Sequence, residues 1–355
     1  MGGYKSSYKG RAEANQMRSR EFRKPGDLES LLELLNGLLS GADHAALNLM
    51  ANDAPQPLIF LHGAHRSGTT LFLQWLANTG LVAYPTNLLS RFYGAPLIGA
   101  RIQQLLTDPR YNFRDEILDF NSQINFKSEN GKTQGALSPN EFWYFWRRFL
   151  PFDDLDYLPD EELTRRGHLD GLRDELNALA NVFERPFALK AMIMNQNIPA
   201  LNSRFTRALF VHIKRDPVFN IQSALEARQR QYGNMDTWYS FRIREYHALK
   251  DLEPLDSVAG QIAAINRSVE HGLESVPEDR RMTVRYEDFC RAPSEIYKEI
   301  VDRLTVQGQN FDPPPYQGAG SFEPTNTWRL QRYSELEARD AWECIQARFD
   351  EDPGS

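Results

Sequence analysis

The segment from Leu58 to Gly80 constrains the fold more than any other part of the chain. Its apolar run, Leu58–Leu61, has the length and composition of a buried strand, and a short loop bracketed by Gly63 and Gly68 follows it. The pattern after the loop predicts a helix that ends at Gly80. Successive backbone N–H groups in such a turn, together with the start of a helix, form a cradle for a phosphate or sulfate group. The segment therefore predicts an anion-binding loop between a strand and a helix.

The spacing of Gly63 and Gly68 matches that of the nucleotide-binding P-loop, but the residues after Gly68 do not. A P-loop continues with lysine and then serine or threonine, whereas this chain has Thr69 and Thr70. Because NTPases use that lysine on the β- and γ-phosphates, its absence argues against phosphoryl transfer from a metal-bound triphosphate. A different cation, Arg66, stands two residues before the second glycine. An arginine can hold an anionic oxygen bidentately without losing its charge.

At these residues the chain resembles a known family. The segment 65–71, His-Arg-Ser-Gly-Thr-Thr-Leu, is similar to the phosphosulfate-binding loop of sulfotransferases that use 3′-phosphoadenosine 5′-phosphosulfate (PAPS). The resemblance is nearest the bacterial and carbohydrate-type branches, and it implies PAPS as the donor without a metal. The residues that it assigns to donor binding are Gly63, Arg66, Ser67, Gly68, Thr69 and Thr70.

A second motif lies where another predicted strand ends. Arg215, Asp216 and Pro217 follow the apolar run 208–213, and Ser223 comes eight residues after Arg215. An arginine at the carboxyl end of a strand and a serine two turns along the next helix can both face the sheet edge where nucleotides bind. The pair resembles the 3′-phosphate site of the same sulfotransferases. Taken alone, the motif would indicate only a helix that begins at Pro217 with Asp216 as its cap and an exposed arginine. Its place downstream of the loop favours the phosphate site.

Three further segments show a looser resemblance to this family. Lys190 ends the predicted strand 186–190, where a lysine is unusual if the strand is buried, and is a candidate second cation at the transferred group. Tyr286, at the end of the predicted strand 282–286, is similar to a tyrosine near the adenine. Arg329 lies in a segment that resembles the loop closing over the donor. Each segment is also compatible with a purely structural role.

The acceptor hydroxyl needs a base, and the resemblance implies a glutamate placed after the helix that follows the loop. Glu141 is the chosen candidate because it precedes an aromatic segment, 142–149, that could stack on a sugar ring. His65, Glu129 and His168 compete with it. At least half of the rings in 142–149 are expected in the core. The predicted catalytic residues are Glu141, Arg66, Lys190 and His65.

The charge of the chain limits its partners. The formal net charge is −7, and nucleic-acid-binding proteins normally show a basic surplus, so nucleic acid is not an expected partner. The first 24 residues nevertheless carry seven basic and two acidic residues. This basic arm could make a peripheral contact with an anionic membrane, although a solvated segment is the simpler interpretation.

The chain is expected to be cytoplasmic. It has two cysteines, no signal-peptide pattern and no apolar run long enough to form a transmembrane segment. No cluster of histidine, cysteine or aspartate has the spacing of metal ligands, so no metal is predicted.

Alternating strands and helices predict an α/β fold with a P-loop-like parallel sheet flanked by helices. An irregular, mainly helical insertion, about 81–185, follows the first βα unit and is expected to bind the acceptor. A basic arm and an amphipathic helix, beginning at Asp27 and ending near Gly41, are predicted within 1–56, before one α/β domain over 57–355. Later helices are predicted at 217–231, 235–250, 257–275 and 293–304.

The sequence thus predicts a PAPS-dependent sulfotransferase that transfers a sulfuryl group to a hydroxyl, with a saccharide or glycoconjugate such as a glycolipid as the expected acceptor. A peptide tyrosine, a lipid or a small natural-product hydroxyl remains open as the acceptor. Fixed cations would meet the charge that accumulates on the departing 5′-phosphate. Two alternatives remain open: a P-loop kinase or NTPase without its usual lysine, and a non-catalytic nucleotide-binding protein.

Overall fold

A four-stranded sheet, in which every strand runs parallel to its neighbours, forms the centre of the fold. The computed structural model describes residues 18–50, 53–114, 128–129, 132–307 and 312–351. The strands are β1 (Leu58–His62), β2 (Ser128–Glu129), β3 (Lys132–Thr133), β4 (Phe187–Lys190), β5 (Ala208–Lys214) and β6 (Arg281–Arg285). The order in the sheet is β4-β1-β5-β6, while β2 and β3 form a separate antiparallel pair.

Helices surround this sheet, which confirms the predicted α/β fold. The α-helices are α1 (Gly26–Leu49), α2 (Thr69–Asn78), α3 (Pro96–Thr107), α4 (Trp143–Trp146), α5 (Asp160–Arg166), α6 (Leu169–Phe183), α7 (Ile198–Asn202), α8 (Pro217–Tyr232), α9 (Tyr246–Leu249), α10 (Pro254–Glu274), α11 (Tyr286–Arg291), α12 (Pro293–Val306) and α13 (Glu335–Glu351). The short 3-10 helices are Arg20–Phe22, Leu89–Phe92, Pro109–Tyr111, Met192–Met194 and Glu278–Arg280. Within the described ranges, no helix combines the length and apolar character needed to cross a bilayer.

Both faces of the sheet are covered, as alternate residues of β1 show. Leu58 and Phe60 belong to one apolar cluster, which includes Leu176 of α6. Ile59 and Leu61 belong to another, on the side of α2 and α12. A strand buried on both faces needs a continuous apolar run rather than an alternating one. The run Leu58–Leu61 has this composition.

The pairing of β1 sets the geometry of one sheet edge. Leu61 pairs with Lys190 on β4, and His62 pairs with His212 on β5. Because the strands are parallel, the carboxyl ends of β4, β1 and β5 meet at this edge. The segments that follow these three strands are therefore brought together there.

The aromatic segment 142–149 divides between core and surface. Phe142, Phe145, Trp146 and Phe149 are buried. Trp143 and Tyr144 are only partly buried, and both line a cleft. The prediction that at least half of the rings would lie in the core is confirmed.

The predicted helix over 235–250 is wrong. Within that range only α9 is helical. The side-chain Oδ1 of Asn234 accepts hydrogen bonds from the backbone N–H groups of Asp236 and Thr237. An asparagine that bonds its own following backbone favours a turn over a helix, and so the segment leaves the helical path after α8.

The predicted bounds of α1 are also wrong. The helix begins at Gly26 with Pro25 as its N-cap, so Asp27 lies in the first turn, and it continues past Gly41 to Leu49. A glycine inside a helix costs only about 1 kcal/mol. Contacts made beyond Gly41 offset that cost.

One such contact is made by Asp43, whose carboxylate is buried where α1 packs on α3. Its Oδ1 accepts a hydrogen bond from the backbone N–H of Ile98, 2.9 Å away, in the first turn of α3. Burial is the main cause that raises the pKa of Asp43 to about 6. The carboxylate therefore caps α3 but is costly to ionise in this position.

We predict that Asp43→Asn stabilises the protein at pH 7. The raised pKa means that the folded state retains a proton which the unfolded state has already lost, so Asp43 weakens stability as pH rises from about 4 to above 6. Asparagine keeps an acceptor for Ile98 N–H without a charge. The free energy of unfolding in urea should rise by about 1–3 kcal/mol at pH 7 and change little at pH 4.

Asp43→Ala serves as the control, because it removes the acceptor and should destabilise the protein at both pH values. An equal effect of the asparagine variant at both pH values would contradict the prediction.

Candidate functional site

Two glycines shape the loop between β1 and α2. Gly63 has φ 141° and Gly68 has φ 97°, conformations that residues with side chains rarely adopt. A Cβ on Gly63 would lie 2.4 Å from the carbonyl oxygen of Ile213, and a Cβ on Gly68 would lie 2.4 Å from the ring of Tyr286. The glycines thus allow the end of β5 and the Tyr286 ring to approach the loop closely.

Two asparagines make hydrogen bonds to the backbone of this loop. Asn195 donates through Nδ2 to the carbonyl oxygen of Gly63 over 2.8 Å and accepts from its N–H over 3.3 Å. Asn220, in the first turn of α8, donates to the carbonyl oxygen of His65 over 2.8 Å. Sequence reasoning missed both residues, because a lone asparagine carries no signal of a partner more than a hundred residues away.

The Ser67 hydroxyl is buried and has no hydrogen-bond partner among the described residues. A buried polar group without a partner costs stability and calls for an explanation. Its position in the loop fits the oxygen of a bound phosphate or sulfate group as that partner. Thr69, the next hydroxyl, is already engaged with the sulfur of Met192 at 3.4 Å.

Lys190, at the end of β4, joins the loop to the insertion. Its Nζ donates to Thr70 Oγ1 over 2.6 Å and to Glu141 Oε1 over 3.0 Å. The Lys190 side chain is 5% exposed, whereas that of Glu141 is 48% exposed. The indole of Trp146 donates to the Lys190 carbonyl oxygen over 3.1 Å and fixes the strand end. Three residues singled out in the sequence therefore meet, namely a loop hydroxyl, a buried cation and an accessible carboxylate.

The predicted donor-binding residues Arg66, Ser223 and Arg215 also lie close together. Arg66 donates through Nε to Ser223 Oγ over 3.1 Å, and Arg215 donates to the carbonyl oxygen of Arg66 over 3.2 Å. The guanidinium of Arg215 lies 5.0 Å from the centre of the Tyr286 ring. Burial is the main cause that lowers the pKa of Arg215. An anion bound here would offset that cost of burying a cation.

The segment that follows Phe322 closes over Arg215. Arg215 donates to the carbonyl oxygen of Thr325 over 2.8 Å and to Asn326 Oδ1 over 2.9 Å. Asn326 in turn donates to Glu287 over 2.8 Å. The guanidinium of Arg329 is directed to Glu226 instead, 3.3 Å away, and is not among the described groups that line the cleft.

His65 is buried inside the loop, with its ring 5.5 Å from that of Tyr239 in an edge-on arrangement. Burial, with the charges of Arg228 and Arg66, lowers the pKa of His65 to about 3. Neither ring nitrogen has a partner among the described residues. The imidazole is therefore neutral at neutral pH.

The two other candidates for the base, His168 and Glu129, lie in the insertion. His168 lines the cleft and precedes α6, and its backbone N–H donates to the carbonyl oxygen of Phe149. Glu129 lies in β2.

A cleft of about 2420 Å³ connects these groups. The loop, the insertion, α1 and the segment 237–242 contribute its walls. Trp143 and Phe241, with ring centres 5.2 Å apart, and the half-buried Tyr239 provide an aromatic wall beside Glu141. Tyr239 was missed from the sequence because it falls in the segment that was wrongly predicted to be helical.

Within the described part of the chain, no group of three or more histidine, cysteine, aspartate or glutamate side chains could hold a metal ion.

Comparison with known families decides the assignment. Residues 57–310 match the sequence profile described as the sulfotransferase family. The chain belongs to the sulfotransferase family. This sulfotransferase is therefore an enzyme of sulfuryl transfer, acting on a hydroxyl-bearing acceptor. No curated protein matches the chain.

Solved structures with a similar course of the chain include three sulfotransferases. Sulfotransferase STF9 from Mycobacterium avium is 16% identical, with 87% of this chain and 81% of that chain covered and a TM-score of 0.47. Sulfotransferase STF1 from Mycobacterium tuberculosis is 15% identical, with 86% and 81% covered and a TM-score of 0.48. The sulfotransferase domain of the curacin biosynthetic pathway is 14% identical, with 84% and 98% covered and a TM-score of 0.41.

We predict that Gly68→Ala destabilises the sulfotransferase more than Gly80→Ala. Both glycines have positive φ, but only at Gly68 would the added Cβ meet another group, the Tyr286 ring. Gly80→Ala should cost about 1 kcal/mol from the backbone alone. Gly68→Ala should cost about 1–3 kcal/mol more, because the ring must move. Urea denaturation of both variants measures the difference, and equal losses would show that the ring is not held against the loop.

Proposed function

We propose that this sulfotransferase uses PAPS as its donor and sulfates a hydroxyl of a saccharide or glycoconjugate. The observation that carries the proposal is the convergence of Thr70, Lys190 and Glu141 beside a loop whose Ser67 hydroxyl lacks a partner. A buried cation and an accessible carboxylate at an anion-binding loop are the groups that sulfuryl transfer to a hydroxyl needs.

The residues present fit PAPS in two places. The loop, with Gly63, Gly68 and the Ser67 hydroxyl, suits the 5′-phosphosulfate. Arg215 and Ser223 suit the 3′-phosphate, because a buried guanidinium and a hydroxyl can together bind a monoester phosphate. A phosphate at Arg215 would exchange places with the oxygens of Thr325 and Asn326 as acceptors. The Tyr286 ring lines the cleft and suits a contact with the adenine of the donor.

PAPS, when bound, supplies the sulfuryl group that the acceptor oxygen takes up. Glu141 accepts the proton of the acceptor hydroxyl as the bond to sulfur forms. Lys190 and Arg66, with the N–H groups of the loop, stabilise the negative charge left on the 5′-phosphate when its bond to sulfur breaks. Thr70 holds Lys190 in position through the hydrogen bond at 2.6 Å.

Glu141 is a better candidate for the base than His65. The Glu141 carboxylate is about half exposed and bonded to one cation, so an acceptor can reach it. His65 has a pKa lowered to about 3 and is buried with both ring nitrogens inaccessible. A base with so low a pKa has little drive to take a proton at neutral pH. A positioning role under Tyr239 suits His65 better.

The aromatic wall supports a saccharide as the acceptor. Trp143, Tyr239 and Phe241 present rings beside Glu141 in a cleft large enough for an extended ligand. Aromatic faces pack against the apolar face of a sugar ring, while nearby polar groups bond its hydroxyls.

We also propose a cytoplasmic location for the protein. This location agrees with Cys290 and Cys344, which form no disulfide bond with each other.

Calorimetric binding of adenosine 3′,5′-bisphosphate, without metal, tests the donor. The wild type should bind it, and Arg215→Ala should weaken binding by about 2–3 kcal/mol, since a hydrogen-bonded charge pair is lost. Arg280→Ala is the matched control, because Arg280 also bonds oxygen acceptors but lies before β6, away from the loop. Binding of ATP with Mg²⁺ in place of the bisphosphate would instead favour a kinase or NTPase.

Replacement of Glu141 by glutamine tests the base. In Glu141→Gln, kcat with labelled PAPS and glycan acceptors should fall by about 10²- to 10⁴-fold, while bisphosphate affinity changes little. Glu299→Gln is the control, because Glu299 is similarly exposed and also pairs with one cation, Arg303. A glutamine variant with unchanged kcat would remove Glu141 from the mechanism.

A further inference from the structure

The residue that follows the proposed base has an unusual backbone conformation. Phe142, directly after Glu141, has φ 55°, in the left-handed region that residues with a side chain rarely adopt. The Phe142 ring is buried and stacks on the ring of Phe145, with ring centres 4.3 Å apart. A conformation of this kind persists only where the surrounding contacts enforce it, and such residues cluster at functional sites. The contacts around Glu141 therefore show what holds the base in place.

Asn140, on the other side of Glu141, makes three of these contacts. Its Oδ1 accepts a hydrogen bond from the backbone N–H of Phe142 over 2.9 Å. Its backbone N–H donates to the carbonyl oxygen of Pro85 over 2.7 Å, and its Nδ2 donates to Asn87 Oδ1, also over 2.7 Å. Asn140 thus ties the backbone on both sides of Glu141 to the segment that follows α2.

The amide of Asn87 determines the orientation of the Asn140 side chain. Asn87 donates through Nδ2 to the carbonyl oxygens of Thr133 and Gly135, over 3.2 and 2.9 Å. Because carbonyl oxygens can only accept, the Asn87 oxygen must face Asn140, which presents its own Nδ2 there. The Asn140 oxygen then faces the N–H of Phe142, which can only donate. Position 140 therefore needs a side chain that donates on one side and accepts on the other, as asparagine does.

The ion pair with Lys190 does not by itself fix Glu141. Lys190 Nζ lies 3.0 Å from Glu141 Oε1, but the Glu141 side chain is about half exposed. A single ion pair to an exposed carboxylate contributes little to holding a flexible side chain. A base must nevertheless lie within hydrogen-bonding distance of the proton that it takes. The position of the Glu141 carboxylate therefore depends on the backbone that Asn140 holds.

We propose that Asn140 is a positioning residue for sulfuryl transfer, which holds Glu141 where it accepts the proton of the acceptor hydroxyl. Asn140 acts through Glu141 and makes no contact with the acceptor, although it lies in the wall of the cleft. Asn87 is its partner, so the two segments 85–87 and 133–140 together set the place of the base. The inference rests on the proposed role of Glu141.

Kinetics of Asn140→Ala and Asn140→Ser test the proposal, with labelled PAPS and with cellobiose, lactose and N,N′-diacetylchitobiose as acceptors. In Asn140→Ala, kcat should fall about 10- to 100-fold, because a small displacement of a catalytic group can cost about 10²-fold in rate. Asn140→Ser should lose less, since a serine hydroxyl can accept from the N–H two residues further on. The KM for the acceptor and the affinity for adenosine 3′,5′-bisphosphate should change little in both variants.

A double variant distinguishes positioning of Glu141 from a general loss of structure. If Asn140 acts through Glu141, adding Asn140→Ala to Glu141→Gln should lower kcat by less than about threefold further. Amide hydrogen exchange gives a readout that needs no acceptor. The backbone N–H of Phe142 should exchange faster in Asn140→Ala, because it loses its acceptor.

The matched control is Asn202→Ala. Asn202 is also partly buried, and its side chain also donates one hydrogen bond, to the carbonyl oxygen of Ser275, and accepts one, from Arg280. It lies at the end of α7 and is not among the residues that line the cleft. Asn202→Ala should therefore keep the wild-type kcat.

Three outcomes would overturn the proposal while leaving Glu141 as the base. Asn140→Ala could keep kcat within about threefold of the wild type, or the losses of the two single variants could multiply in the double variant. The KM for the acceptor could instead rise at unchanged kcat, which would place Asn140 in contact with the acceptor. If Glu141→Gln itself keeps the wild-type kcat, the proposed base is wrong, and the positioning role of Asn140 is wrong with it.

Discussion

The parallel pairing of β1 with both β4 and β5 is the constraint on which the rest of the site depends. It brings three carboxyl ends to one edge of the sheet, so that the loop after β1, Lys190 at the end of β4 and Arg215 after β5 become neighbours. Parallel neighbours require crossover connections, and helices on both faces then cover the sheet. Residues more than a hundred positions apart in the chain therefore meet without any local sequence signal that links them.

The site contains two buried cations, Lys190 and Arg215, and they differ in the groups that balance their charge. Lys190 has a carboxylate partner, Glu141, which remains half exposed. Arg215 is bonded mainly by neutral oxygens, those of Thr325, Asn326 and Arg66. Neutral acceptors satisfy the hydrogen bonds of a guanidinium without pairing its charge, and the charge of Glu287, which accepts from Asn326, only partly offsets the cost of burying Arg215. This difference supports the proposed roles, in which Arg215 binds a doubly charged phosphate and Lys190 meets the charge that develops during transfer.

Sequence reasoning succeeded where the signal was local or continuous and failed where distant groups decided. The apolar run of β1 and the Asp216 cap of α8 appear as expected, because strand burial and capping depend on adjacent residues. Only α9 is helical within the helix predicted over 235–250, since the Asn234 side chain accepts hydrogen bonds from the backbone N–H groups of Asp236 and Thr237 and so favours a turn. The end of α1 was misplaced because Gly41 is a weak stop, and Asp43 makes a tertiary contact beyond it.

The sequence by itself determined the strand, the glycine loop, the helix and the residue types available to bind an anion, because the backbone of the loop tolerates only glycine at its two special positions. It also singled out Lys190, Arg215 and Glu141 as candidates. Only the tertiary structure decided that Lys190 bonds both Thr70 and Glu141, that Arg329 turns to Glu226, and that Asn195 supports the loop. The physical reason is that these contacts follow from the order of strands in the sheet, which no local pattern of residues specifies.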